Sequence, residues 1–402
     1  MHIALQTFGC KLNQAETDEL KKDLIKLGLS IVPIEHGEDI AIVRACAVTC
    51  GASQSTREMI RRLKRNGAYV IAVGCLENKN LPEIDLVAKN NEEVKTIVIH
   101  LVRAKEKLVK NPPPTTYLSS DKQIIDRTRA LIKIQNGCNF NCAYCIVPAF
   151  RGQSKSIATK EIIKKIKEVE KEGYLEIVLT GINICHYRDK ETDLAGLLKQ
   201  ILTQTTVPRI RLGSLDPRLI SHQLIDLYSQ HSRLLPHWHL SLQSGSDTIL
   251  KQMNRRYTAK KYLEIVNKLR KNNPLFSFTT DIILGFPGET EEDFAKTCTL
   301  LKKIQFAKVH IFPFSPRPGT KAAEMKNKLQ DKIKTERVKK LKKITEIVAN
   351  NFAKKFIGHP VEVLWENKKS GIWYGYTPEY LRVKCKSKKN LRNKITSYHY
   401  TL

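Results

Sequence analysis

A chain of 402 residues is longer than one ordinary domain and predicts two or three. It has 41% hydrophobic residues, no basic start followed by a long apolar run at Met1, and no uninterrupted apolar stretch of spanning length, which speaks against a membrane protein and predicts a cytoplasmic one. The formal charge of +29, from 69 Lys plus Arg against 40 Asp plus Glu, attracts polyanions and makes RNA the first candidate partner, although solvated lysine faces in a Lys-, Asn- and Ile-rich chain would give the same count. Ten cysteines in a cytosolic chain of this size, several of them clustered, predict metal binding rather than disulfides.

Residues 1 to about 100 alternate apolar strands with amphipathic helices. "HIALQTF" leads to Gly9-Cys10, "DIAIVRA" to Cys46 and "AYVIAVG" to Cys75, while "AETDELKKDLIKLG" and "SQSTREMIRRLKRNG" read as helices closed by glycine. The β-α-β-α-β order predicts a parallel sheet wound on both faces, whose functional groups collect at the carboxyl ends of the strands. Cys10, Cys46 and Cys75 each occupy such an end, so three cysteines distant in sequence are expected to converge as ligands. Buried core thiols are the alternative, and Cys50 reads as a bystander.

"NPPPTTYLSSDKQ" marks a linker. Beyond it "RALIKIQ", "EIVLTG", "RIRLGS", "HLSLQSG", "FTTDIILG" and "KVHIFPF" are expected strands, with "KEIIKKIKEVEKEG" and "EEDFAKTCTLLKKI" among the helices between them. Six β/α repeats are too few for a standard eight-unit barrel and predict an open or partial one. From about residue 327 to 356 a long basic helix is expected, followed from Pro360 by short strands that form a small β module. Its aromatics Trp365, Trp373, Tyr374 and Tyr380, interleaved with basic residues, suit stacking on nucleic acid or, equally, a module core.

Directly after the first strand of the second part, "NGCNFNCAYCIVPAFRG" holds Cys138, Cys142 and Cys145 in a Cys-x3-Cys-x2-Cys run. Thiolates hold iron–sulfur clusters or zinc, both of which ordinarily take four ligands, and the nearest histidines in sequence, His100 and His186, are far from the run. A metal with one open position is therefore expected at a strand end, where barrel enzymes place their chemistry. Polar or glycine-rich turns follow four later strands: Thr180, Gly181 and Asn183 in "LTGIN", Ser214 in "RLGSLDP", Gln243 in "LSLQSGSD" and Gly285 in "DIILGFPGET". Taken singly, each of these is an ordinary β-α turn.

The three-cysteine run at that position resembles the radical S-adenosylmethionine (SAM) superfamily. The resemblance implies a 4Fe-4S cluster on Cys138, Cys142 and Cys145 whose remaining iron is chelated by SAM, Tyr144 against the SAM adenine, and SAM-binding loops at Thr180, Gly181, Asn183, Ser214, Gln243 and Gly285. Together with "QTFGCKLNQAE", "RACAVT" and "AVGC", nearly the whole chain resembles the methylthiotransferase family. That resemblance implies a second, auxiliary 4Fe-4S cluster on Cys10, Cys46 and Cys75 that carries the sulfur, and a carboxy-terminal RNA-binding TRAM module. It further implies SAM as both radical source and methyl donor, and a flavodoxin- or ferredoxin-type electron donor, with the sulfur donor unnamed.

"FGCKLNQAE", "LTGINI" and "HLSLQSGSDTILKQMNRRYT" are similar to the branch that methylthiolates C2 of N6-threonylcarbamoyladenosine at position 37 of the tRNA anticodon stem-loop. The alternatives are the isopentenyladenosine and ribosomal-protein aspartate branches, and a non-catalytic iron–sulfur RNA-binding protein. The expected organisation is an α/β chain: residues 1–115 a doubly wound parallel-sheet domain, 124–356 a partial (β/α)6 radical SAM barrel with its basic helix, and 357–402 a shortened TRAM-like module. The chain departs from the family pattern at Arg44-Ala45, where Asn-Thr is usual before the second auxiliary cysteine. Arg151 and Lys155, just after the cluster loop, suit contact with the RNA backbone or, equally, exposed salt-bridge or solvated roles.

Overall fold

The strand-helix alternation of the first hundred residues forms a five-stranded parallel sheet, in the order β2-β1-β3-β4-β5, from β1 (His2–Thr7), β2 (Ser30–Val32), β3 (Ile40–Ala45), β4 (Tyr69–Gly74) and β5 (Leu86–Ala88). Three helices cover it: α1 (Lys11–Lys26), α2 (Cys50–Arg65) and α3 (Asn91–Leu108). Every residue of β3 is buried, because its alternating side chains supply two cores. Ile40 and Ile42 join Leu20, Leu24, Val94 and Val98 from α1 and α3, whereas Ala41 and Val43 join Ile60 and Leu63 from α2. Helices therefore lie on both faces, as the reading predicts.

The computed structural model describes residues 1–34, 36–108 and 127–401, and the stretch 111–123 read as a linker lies outside them. The chain divides into two units: the described part of Met1–Asp126 with Ile146–Gly152, and Arg127–Cys145 with the described residues from Gln153 onward.

In the second unit six parallel strands follow one another in sequence order: β6 (Arg129–Lys133), β7 (Glu176–Thr180), β8 (Arg209–Leu212, resuming at Ser214–Leu215), β9 (His237–Leu240), β10 (Ser277–Leu284) and β11 (Lys308–Pro313). The third strand is interrupted at Gly213, so its first part pairs with β7 and its second with β9. A Cβ at Gly213 would lie 2.8 Å from the Leu179 carbonyl oxygen, so the break needs a glycine. Amphipathic helices such as Thr159–Lys171, Leu194–Gln204 and Ala259–Asn272 cover the outside, where Ile162, Ile166, Leu197, Leu198, Ile265 and Leu269 are buried. This is the expected partial barrel.

The basic helix spans Asp331–Lys354, and the carboxy-terminal module is a four-stranded antiparallel sheet of β12 (Pro360–Lys369), β13 (Ile372–Tyr376), β14 (Arg382–Lys386) and β15 (Ile395–His399). Trp365 and Trp373 are buried with Phe352, Phe356, Val363 and Val383, so these two tryptophans build the module core and do not stack on nucleic acid. Tyr380 is likewise engaged inside the unit, its ring stacked on His237 at 4.7 Å and on Tyr376 at 4.8 Å.

The module closes the amino-terminal end of the barrel through charge as well as rings. Glu176, fully buried, meets Arg211 at 2.7 Å, Arg211 donates to the Pro378 carbonyl at 3.0 Å, and Arg129 pairs with Glu366 at 2.6 Å. Burial pushes the Glu176 carboxyl up, but Arg211, Arg129 and Arg209 outweigh it and hold it below its ordinary value. Its contribution to stability is therefore present above pH 4.5 and is lost as pH falls through the lowered folded value. Glu176→Gln, followed by denaturant unfolding, is expected to cost about 3–5 kcal/mol near neutral pH, because buried guanidinium charge is left uncompensated. The same variant should show a flatter loss of stability in acid than the parent.

Candidate functional site

The strand-end cysteines of the first unit are drawn together by close backbone approaches. Cys10 caps the start of α1, Cys46 follows β3 and Cys75 follows β4. At Gly9, with φ +93°, a Cβ would sit 2.5 Å from Cys46 Sγ, so only glycine lets the Cys10 turn lie against Cys46. Asn13 Nδ2 ties the turns together, donating to the carbonyls of Phe8 at 2.7 Å and Ala45 at 2.9 Å, and the Cys75 N–H donates to the same Ala45 carbonyl at 3.2 Å. Cys46 and Cys75 are buried and Cys10 is exposed. Burial pushes both buried thiols up; Cys46 is raised further by Cys10 and Cys75, and Cys75 by Cys10, as expected of sulfurs gathered at one place. Cys50 is the exposed first residue of α2.

Arg151 is the main positive charge at this site. Its Nε donates to Cys75 Sγ at 3.4 Å, and its guanidinium grips both oxygens of Glu16 at 2.8 and 2.9 Å and the side-chain oxygen of Asn13. Glu16 also accepts from Arg44 at 3.0 Å. The arginine that departs from the family pattern thus shares a buried carboxylate with Arg151, one link removed from Cys75. Only 8% of the Arg151 side chain is exposed, which rules out the RNA-backbone contact expected of it, whereas Lys155 is exposed. A small open hollow beside Cys46 and Cys75 is also lined by Ser53, Thr56 and Arg57, and the buried Ser53 Oγ has no partner among the described residues.

In the second unit the loop holding Cys138, Cys142 and Cys145 is fixed by its backbone. Ala143 donates to Met253 at 3.0 Å and accepts from Ala322 at 2.8 Å, and the Cys145 N–H closes a tight turn on Cys142 at 3.0 Å. Cys138 Sγ accepts from the Phe140 N–H at 3.4 Å. Arg218 and Arg255 bring guanidinium nitrogens to 3.8 and 3.7 Å from Cys142 Sγ, and the buried Asp216 holds both, at 2.7 and 2.9 Å. Three half-buried thiols under two fixed positive charges are a donor set suited to an anionic iron–sulfur cluster. His186, distant in sequence, is brought close in space: its ring lies 4.4 Å from Phe140, which also carries the Arg218 guanidinium at 3.4 Å.

The loops expected around SAM meet at the carboxyl end of the strands, with mixed roles. Tyr144 packs against Ile249, Met253 and Phe286, its hydroxyl pushed well up by burial despite Arg255. Thr180 is the buried last residue of β7. Gly181 is needed for a local crossing, since a Cβ there would lie 2.7 Å from Gln135 Oε1. Asn183 spends its side chain capping the Cys185 N–H at 3.3 Å, and its own N–H donates to Gln135 at 3.0 Å. Ser214 and Ser241 hydroxyls lie 3.2 Å apart. Gln243, at φ +70°, bonds through its backbone to Asp281 and Ile283 at 2.8 and 2.9 Å. Gly285, at φ +72°, leaves room for Lys334 and donates to Glu289 at 2.8 Å.

Sequence reasoning passed over a further group inside the barrel: His239, Asp281 and His310 place one ligand atom each within 4.8 Å of one another. They alternate with buried outward residues such as Trp238, Leu240, Thr280 and Ile282, and that period-2 alternation in "HWHL" and "TTDIIL" is the signal that could have found them.

A six-stranded partial barrel with a three-cysteine loop after its first strand defines a radical SAM enzyme. Residues 132–301 match the model of the radical SAM superfamily, and residues 2–98 match that of an uncharacterized protein family, UPF0004. The chain belongs to the radical SAM methylthiotransferase family. It is 36% identical over 384 residues to the threonylcarbamoyladenosine tRNA methylthiotransferase MtaB of Aquifex aeolicus, covering 90% of this chain and 92% of that one. It is 37% identical to the protein of the same name from Thermotoga maritima, covering 94% and 90%. A tRNA-2-methylthio-N(6)-dimethylallyladenosine synthase of Oceanobacillus iheyensis is 32% identical, covering 99% and 81%. Among solved structures, the radical SAM methyltransferase TsrM of Kitasatospora setae superposes with a TM-score of 0.57 at 14% identity, over 80% of this chain and 75% of that one, a likeness of fold. Membership implies SAM and a 4Fe-4S cluster as cofactors. No helix among the described residues is long and apolar enough to cross a membrane.

Proposed function

We propose that the protein methylthiolates C2 of N6-threonylcarbamoyladenosine at position 37 in the anticodon stem-loop of tRNA, using two 4Fe-4S clusters and SAM as radical source and methyl donor. The observation that carries the substrate assignment is identity of 33–37% to relatives named for that adenosine along 90% or more of this chain. Cys138, Cys142 and Cys145 would hold one cluster, and Cys10, Cys46 and Cys75 the other. The loop of Cys138, Cys142 and Cys145 holds no fourth cysteine, and the cysteine next to the other trio in sequence, Cys50, is the exposed first residue of α2, which supports one open iron at each. When bound, these groups supply the radical and sulfur chemistry that an unactivated ring C–H requires.

The protein's own part is binding and electrostatics. Arg218 and Arg255, clamped by Asp216, offset negative charge at the cluster loop, and Arg151 does the same at Cys75. Of the strand-end residues, Ser214 and Gln243 suit SAM binding best, because Asn183 is spent on a cap and Gly181 and Gly285 answer to close packing. The domains are those of the sequence reading, 1–115, 124–356 and 357–402, with Ile146–Gly152 grouped with the first. For RNA, β14 offers the exposed row Arg382, Lys384 and Lys386, alternating with Val383 and Cys385, and Arg382 lies 4.4 Å over the Tyr374 ring. A flavodoxin- or ferredoxin-type protein would supply electrons. Incubating the reconstituted, reduced protein with methyl-labelled SAM and anticodon stem-loops tests the reading. Label should enter the RNA that carries threonylcarbamoyladenosine, and label entering only the isopentenyl RNA would refute it.

A further inference from the structure

Inside the partial barrel, one layer below the rim, lies a polar cluster that neither cysteine site uses. Ser214 pairs in register with His239, and Ser241 is two residues further along the same face, so His239 sits directly under the rim serines. His239 pairs with Thr279, and Asp281 with His310, so the group spans three neighbouring strands. Below it the barrel is shut by His237 stacked on Tyr380. The cluster keeps some exposure: 18% of the His239 side chain and 27% of Asp281.

The hydrogen bonds give His239 and Asp281 distinct parts. His239 has both ring nitrogens engaged, Nδ1 with Thr279 Oγ1 at 3.0 Å and Nε2 with Asp281 Oδ2 at 3.2 Å. Thr279 is held in turn by His237 Nε2 at 3.0 Å. His239 is thus a positioning residue that fixes the Asp281 carboxylate. Asp281 then offers acceptor oxygens, and His310, paired with it in register and with its ring 6.0 Å from that of His239, brings a second imidazole beside them.

We infer that Asp281 and His310 form the subsite for the polar substituent on the target adenosine, His310 donating to its carboxylate and Asp281 accepting from its hydroxyl or ureido N–H. This rests on the proposed function, and it adds the residues that would distinguish a threonylcarbamoyl from a dimethylallyl group. An apolar branched substituent pressed onto this floor would strip water from a carboxylate and two imidazoles and return no hydrogen bond. Sites built to bond a polar group reject an analogue lacking it by about 10⁴–10⁵-fold.

The test compares reconstituted parent protein with His310→Leu, His310→Gln and Asp281→Asn, measuring affinity for stem-loops bearing threonylcarbamoyladenosine, dimethylallyladenosine or plain adenosine. The parent should bind the threonylcarbamoyl RNA best. His310→Leu should lose about 10- to 100-fold for that RNA alone, with His310→Gln recovering part of the loss. A general packing defect would weaken all three RNAs together and would overturn the subsite. If the parent modifies threonylcarbamoyl RNA while the affinity ratios of the variants match the parent's, the subsite is wrong and the proposed function stands. Parent activity confined to dimethylallyl RNA would refute both. One non-iron divalent metal per parent chain, lost in Asp281→Asn, would overturn the contact reading by making the trio a metal site.

Discussion

Alanine at Cys138, Cys142 and Cys145, singly or together, is expected to bring reductive SAM cleavage to background and to remove one cluster's iron from the reconstituted protein. The thiols stand on a loop that the fold holds by other means: backbone bonds from Ala143 to Met253 and from Ala322 to Ala143, and Asn254 donating to the Asn141 carbonyl at 3.1 Å. All three are only half-buried, so their loss opens little cavity. The melting temperature should move by no more than a few degrees, about what 1 kcal/mol produces in a chain of this size. Loss of SAM cleavage with the fold intact then reports the ligand set. Retained cleavage in the triple variant would refute the assignment of that loop.

The complementary expectation is that Cys10→Ala, Cys46→Ala and Cys75→Ala combined leave SAM cleavage measurable and abolish methylthiolated product, with total iron falling by about half. Here the structural cost is larger, because Cys46 and Cys75 are 4% and 6% exposed and sit in packed strand ends. Each buried truncation is worth about 1 kcal/mol. Unfolding curves should accompany the iron measurement. The two variants separate the trios only if iron is lost from each independently. A triple variant that still made product would mean that sulfur does not pass through Cys10, Cys46 and Cys75.

How much of this could be read from sequence depended on the range of the interaction. The parallel sheet of the first unit and the six strands of the second were legible because each is a short stretch with apolar residues closed by glycine or a polar turn and alternating with amphipathic helices. β2 and β5 escaped notice, since three residues carry no period. The strand-end positions of Cys10, Cys46 and Cys75 followed from that pattern, and their crowding at Gly9 is its three-dimensional consequence. Arg151 was misjudged because its partner Glu16 is 135 residues away, and a long-range ion pair leaves no local mark. Trp365 and Trp373 look like RNA-stacking residues until β12 and β13 pair and turn them inward. The alternation in "HWHL" and "TTDIIL" marks His239 and Asp281 as facing one way, but their meeting with His310 depends on the register of three strands, which the order of residues does not display.

The central claim is that this chain adds a methylthio group to threonylcarbamoyladenosine in tRNA. Mass spectrometry of nucleosides from the tRNA of cells with and without the gene addresses it most directly. The 2-methylthio form of threonylcarbamoyladenosine is expected to disappear with the gene while its unmethylthiolated precursor accumulates and the isopentenyl derivatives are unchanged. Persistence of that nucleoside, with loss of the isopentenyl derivative or of none, would contradict it.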